Sequence, residues 1–181
     1  MNEYPSFSSR FGAWAIDGVV LFALAVPIVA RGIWSLPFHW AAAATVGFSL
    51  VWYSYKILTQ AMWGKTIGKK VVGIRLRMKD GSRATWSSVL IRYLPGLAYA
   101  SLHVAGWLSM VRSARFADLQ GLPPAERVEL IRSAAPFWWP GLLTLAMSLW
   151  LLVNAIVLGK NAQNRAVHDL IAGTTVRREN G

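Results

Sequence analysis

The sequence predicts an all-α polytopic membrane protein: four transmembrane helices, with a short cytoplasmic β-hairpin between the second and third. Three observations lead there. Hydrophobic residues make up 55% of the chain and charged residues only 15%, where soluble domains carry about a quarter charged. Four apolar stretches approach the roughly 20 helical residues needed to cross a hydrocarbon core about 30 Å thick. The 19 Lys and Arg gather mostly between those stretches and outnumber the 8 Asp and Glu, for a net charge of +11. A length of 181 residues suits a single membrane domain, 1–181. Ten tryptophans fit a protein living at an apolar–polar boundary, and zero cysteines exclude disulfides, thiolate metal sites and thiol nucleophiles.

The first helix spans about Phe11 to Ala30, with Asp17 inside it and Pro27 near its end. A cleaved leader is the rival reading, because Ile28 and Ala30 imitate a cleavage site; Asp17 and the lack of Lys or Arg before Arg10 weigh against it. The second helix spans about Phe38 to Leu58, with His39 at one end and Lys56 at the other, where a long stem can snorkel. The third covers Leu94 to Val111, with Arg92 just before it. The fourth, Phe137 to Leu158, opens on Phe137-Trp138-Trp139-Pro140, an aromatic anchor at a helix start.

Between helices two and three, at about 64–88, Val72, Ile74, Leu76 and Met78 alternate with Gly73, Arg75, Arg77 and Lys79, and Asp80-Gly81 is a turn signal. A hairpin is expected, with Lys65, Lys69, Lys70, Arg75, Arg77 and Lys79 lying on anionic headgroups. A phosphate-binding loop is disfavoured, since Trp63 replaces the first glycine and Lys70 the final Ser or Thr. The outward loop, about 112–136, holds Pro123-Pro124 and then an amphipathic turn or two through Ser133.

Charge sets the orientation. The connection Thr59 to Ser88 holds seven Lys and Arg against Asp80, net +6, and the tail after Leu158 carries net +2. Both belong on the cytoplasmic side, as do both termini of a four-span protein. Topology and attraction to anionic lipid account for the positive charge, so no nucleic-acid partner is required.

Three blocks in order carry a resemblance: Arg10-Phe11-Gly12-Ala13-Trp14-Ala15-Ile16-Asp17; Gly64-Lys65-Thr66-Ile67-Gly68-Lys69 with Gly73-Ile74-Arg75; and His168-Asp169-Leu170-Ile171-Ala172-Gly173-Thr174. From Arg10 to Val176 the chain resembles the bacterial RDD family, named for one arginine and two aspartates, which correspond to Arg10, Asp17 and Asp169. Leu119 to Ser133 has no counterpart in that pattern. The resemblance implies a multi-pass protein of the bacterial inner membrane, with transport proposed and cation/proton exchange suggested for some members; it supplies no reaction.

Read from the residues alone, Arg10 and Asp17 lie seven apart, two helical turns and about 10 Å along the axis. A carboxylate that deep in a bilayer must face the bundle interior, find a partner, or be protonated. Arg92 is the first choice for Asp17, and Arg10 the second. Asp169 can return from the tail to close the cluster. With Arg10 alone the two carboxylates leave a spare negative charge, able to bind a cation or carry protons; with Arg92 the cluster is neutral and staples helices. Both readings stay open. His168 reads as a hydrogen-bonding residue of the tail, and His103 and Asn154 as interhelical hydrogen bonds. No catalytic signature, cofactor motif or metal spacing is present, so an enzyme is not expected. A transporter this small calls for a homo-oligomer; a membrane anchor calls for a membrane-protein partner.

Overall fold

The computed structural model describes residues 3–30, 38–112 and 139–179, together with 122–123, 126 and 129. In chain order the described elements are α1 (Phe7–Ala30), α2 (Phe38–Trp63), α3 (Ile67–Val72), β1 (Ile74–Met78), α4 (Trp86–Arg112), α5 (Trp139–Lys160), α6 (Val167–Ile171) and β2 (Thr174–Arg178). Apart from Glu126 and Glu129, which are helical and exposed, the amphipathic turn expected within 112–136 lies outside the described residues, as do Phe137-Trp138 of the expected anchor.

Local chemistry sets the element ends. The Ser6 hydroxyl accepts the Ser9 N–H at 3.4 Å, so α1 starts a turn earlier than the apolar run. Thr85 caps α4 by accepting the Ser88 N–H at 3.2 Å. That start brings Arg92 inside the helix instead of before it. Thr66 caps α3 through the Lys69 N–H, and Gly73, at φ 71°, ends it in the left-handed region that glycine adopts without strain.

Two expectations are corrected here. Among the described residues, only Phe7–Val26 and Gly141–Lys160 are long and apolar enough to cross a membrane, not four segments. The second half of α2 carries Tyr53, Ser54, Tyr55, Lys56, Thr59 and Gln60, and α4 carries Arg92, Tyr93, Ser101 and His103; these polar groups dilute both helices. α5 is different, with Leu142, Leu145, Leu149, Leu151, Leu152 and Val153 all exposed and pointing to more than one face. A helix apolar all round and left bare by its own chain matches lipid, not water.

The expected hairpin is also absent. β1 pairs antiparallel with β2, about a hundred residues later in the chain, in the register Ile74↔Arg178, Leu76↔Val176 and Met78↔Thr174. The turn at Asp80-Gly81 does form, with the Gly81 N–H donating to the Met78 carbonyl at 3.0 Å, and a lone bridge joins Arg77 to Arg83. Only Ser82 to Ala84 then separate the turn from the Thr85 cap, too few for a second arm. The tail offers the better strand, three successive β-branched residues, Thr174-Thr175-Val176, all buried. Ile74, Leu76 and Val176 join Val89, Ala13, Ala61 and Ala84 in one apolar cluster. The sheet thus fastens the tail beneath the ends of α1, α2 and α4.

Candidate functional site

Two buried carboxylates, each with its own set of partners, make up the polar centre. The first is Asp17 on α1, 3% exposed. Its Oδ1 accepts the Gly68 N–H and the Tyr55 hydroxyl, both at 2.8 Å, and its Oδ2 accepts the Thr66 hydroxyl at 2.7 Å. The Tyr55 oxygen in turn accepts the Ile67 N–H at 2.8 Å. One aspartate therefore gathers α1, α2 and the first turn of α3 through neutral donors. Gly68 is what permits the approach: a Cβ there would run into the Ala13 carbonyl oxygen and lie 3.0 Å from Asp17 Oδ1.

The second is Asp169 on α6, fully buried. Arg10 Nη1 donates to its Oδ2 at 2.7 Å and Arg92 Nη1 donates to its Oδ1. The Ala166 N–H also donates to Oδ2, at 3.2 Å, closing the first turn of α6. Buried Arg165 grips the backbone of the same segment, donating to the Thr174 carbonyl at 2.9 Å and the Asp169 carbonyl at 3.1 Å. His168 bridges outward: its Nδ1 lies 2.7 Å from Asn154 Oδ1 and its Nε2 lies 3.1 Å from Arg92 Nη2. Since a guanidinium only donates, Nε2 accepts, and the imidazole is neutral with its proton on Nδ1.

The electrostatics follow this geometry. Burial opposes ionisation of Asp169, but the Arg92 and Arg10 guanidiniums outweigh it and hold the carboxyl well below the usual carboxylate range. Burial, reinforced by Arg92, pushes His168 down to about 3. Lys69 is half-buried and its ammonium donates to Gln60 Oε1 at 2.5 Å; burial and then Arg92 hold its pKa well below the ordinary lysine value. Gln60 completes a chain by donating to the Tyr93 hydroxyl. Arg10, Arg92 and Arg165 against Asp17 and Asp169 leave the buried centre one charge positive before any lysine is counted. Arg10 Nε and Nη2 are buried with no hydrogen-bond partner among the described residues.

The structure therefore joins Arg10, Arg92, His168 and Asp169, and sets Asp17 apart from them. The expected Asp17–Arg92 pair is replaced by Arg92–Asp169, because α4 begins early and α6 carries Asp169 up to it. Of the six basic residues expected on headgroups, Lys69 turns inward, while Lys65 and Arg75 both hold Glu179, at 2.6 and 2.9 Å. Arg77 is half-buried, and Lys70 and Lys79 are exposed. Sequence reasoning missed Tyr55, Gly68 and Arg165. A usable signal was the Thr66-x-Gly68 spacing, which offers a capping hydroxyl and a close-approach glycine within three residues. Among the described residues no group of His, Asp and Glu is arranged to hold a metal ion.

No curated protein matches the chain. The model of the RDD family matches residues 4–173, which include Arg10, Asp17 and Asp169, and with that match over most of its length the chain belongs to the RDD family.

Proposed function

We propose that this RDD protein is a noncatalytic membrane protein whose buried polar centre is an architectural lock, joining its apolar helices to a basic surface module. The observation that carries this is the occupancy of the two carboxylates. Every oxygen of Asp17 and Asp169 already accepts a fixed donor, and the surrounding charge is positive, an arrangement that holds elements together and disfavours a passing cation. A basic module next to a bilayer agrees with the charge balance: the Arg178 N–H donates to the Glu3 carbonyl at 3.0 Å, so the start of the chain, the tail and β1 share one side. By the positive-inside rule that side is cytoplasmic.

Cation or proton exchange is the second reading, and one observation favours it: Asp17 has no cationic partner within ion-pair distance among the described residues. Reconstituted vesicles carrying the Asp17→Asn protein separate the two. The lock predicts a lower melting temperature in detergent and no ion or proton flux specific to the wild type. Normal melting together with loss of a wild-type flux would overturn the lock and establish exchange.

A further inference from the structure

A groove of about 1450 Å³ opens where α2 ends and α4 begins, beside β1. One part of its wall is apolar: Trp63, Trp86, Ile67 and Met62 line it and are 59, 50, 46 and 44% exposed. The other part is cationic, with Lys65, Lys70, Arg75, Arg77 and Arg83 among the lining residues and no aspartate or glutamate. Glu179 at the margin engages Lys65 and Arg75. Lys70 and Arg83 have no carboxylate within ion-pair distance among the described residues, and Arg77 feels Glu179 only from beyond that distance. Like charges converging on one groove repel unless an anion lies between them. A groove lined by both basic side chains and tryptophans fits a molecule with an anionic head and an apolar tail, and indole rings favour the level of the headgroups.

We propose that this groove seats a single anionic phospholipid, its phosphate among Lys70, Arg77 and Arg83 and its first chain carbons along Trp63 and Trp86. The proposal rests on the membrane reading above but goes beyond general attraction to a charged surface, because it names one set of residues for the phosphate and another for the chain. Lys70 and Arg83 are exposed and make no side-chain contact that the fold depends on, so they can be changed without disturbing the polar centre.

The test uses the full chain in nanodiscs of neutral phosphatidylcholine containing a small fraction of phosphatidylglycerol, with retained lipid counted by native mass spectrometry. The wild type should retain phosphatidylglycerol over phosphatidylcholine. The triple variant Lys70→Gln, Arg77→Gln, Arg83→Gln should lose about 100-fold in that preference, from about fivefold per basic residue at an anionic surface. Trp63→Ala with Trp86→Ala should weaken retention while leaving the charge preference. Retention unchanged in the triple variant overturns the groove. Lipid fully displaced by millimolar inorganic phosphate, with no effect of the tryptophan changes, overturns it in favour of a free-phosphate site. A wild type released from vesicles by alkaline carbonate instead sinks the membrane reading itself, so the two failures are distinguishable.

Discussion

Replacing Asp169 by Asn is the most demanding perturbation the structure offers, since it removes a charge and keeps the shape. The aspartate side chain is fully buried, and those of Arg10 and Arg92 are only 12 and 9% exposed, so solvent screens little of the interaction. Asparagine keeps one acceptor oxygen and turns the other into an NH₂ donor. Both carboxylate oxygens are occupied, Oδ2 by Arg10 and the Ala166 N–H, Oδ1 by Arg92 and Thr174. In either orientation the amide sets N–H against a guanidinium N–H, and two cations are left facing each other. Breaking a buried pair in this way costs about 3–5 kcal/mol. Detergent melting or denaturant titration of Asp169→Asn should show that loss, and Arg10→Gln should cost less, because Arg92 remains on the carboxylate. Combining the two substitutions should recover part of the sum, a coupling of about 1 kcal/mol or more. A stability within about 0.5 kcal/mol of the wild type for Asp169→Asn would refute the lock at this end of the molecule.

At the Asp17 end, Gly68→Ala should destabilise by about 1–3 kcal/mol from overpacking alone, since the new methyl meets backbone that cannot rotate away; melting of the variant, with Gly47→Ala as a control in open space, checks it. Tyr55→Phe removes the hydroxyl that donates to Asp17 and accepts from Ile67, and should cost about 1–3 kcal/mol, with faster hydrogen exchange at the Ile67 and Gly68 amides. For acid, the sign comes from His168: its folded pKa of about 3 lies below the ordinary value near 6.5, so between those limits the unfolded chain binds a proton that the folded chain refuses. Stability should fall as pH drops from about 6.5 toward 3, by at most about 1.4 kcal/mol per unit, and Asp169, also depressed, adds a further loss below about pH 4. Melting from pH 7 to 5 should show the slope in the wild type and not in His168→Gln; equal slopes would reject the neutral imidazole.

Features that depend on neighbouring residues were readable from the sequence, and features that depend on distant contacts were not. The alternation expected from Val72 marks a strand only from Ile74 to Met78, Val72 ending α3 instead, and nothing local says whether Ile74 and Leu76 will meet Ser82–Ala84 or Val176. The nearer partner was the natural choice; burial of three β-branched residues favoured the farther one. Arg10, Arg92, Asp17 and Asp169 were singled out from the sequence, but which carboxylate each arginine meets depends on contacts between distant segments. Thr85 caps α4 about two turns before the apolar run, so Arg92 lies inside the helix, where it meets Asp169. Apolar runs in α2 and α4 read as spans because Ala, Leu and Val dominate their counts, while the tyrosines, Gln60 and Arg92 that disqualify them are the residues that build the polar centre. Lys69 looked like its basic neighbours, and only the packing of α3 against α1 turns it inward.

The pairing of β1 with β2 and of two arginines with Asp169 imposes an order on biogenesis. Arg10 is made 159 residues before its carboxylate and Arg92 77 residues before it. During synthesis both guanidiniums therefore lack the carboxylate they pair with, and the edge of β1 stays open, until the stretch from Arg165 to Arg178 leaves the ribosome. A nascent chain that lacks this stretch is thus marked by bare cationic and strand-edge surface, the kind of surface that quality-control proteases and chaperones read, and the stretch from Arg165 to Arg178 is the one that erases the mark.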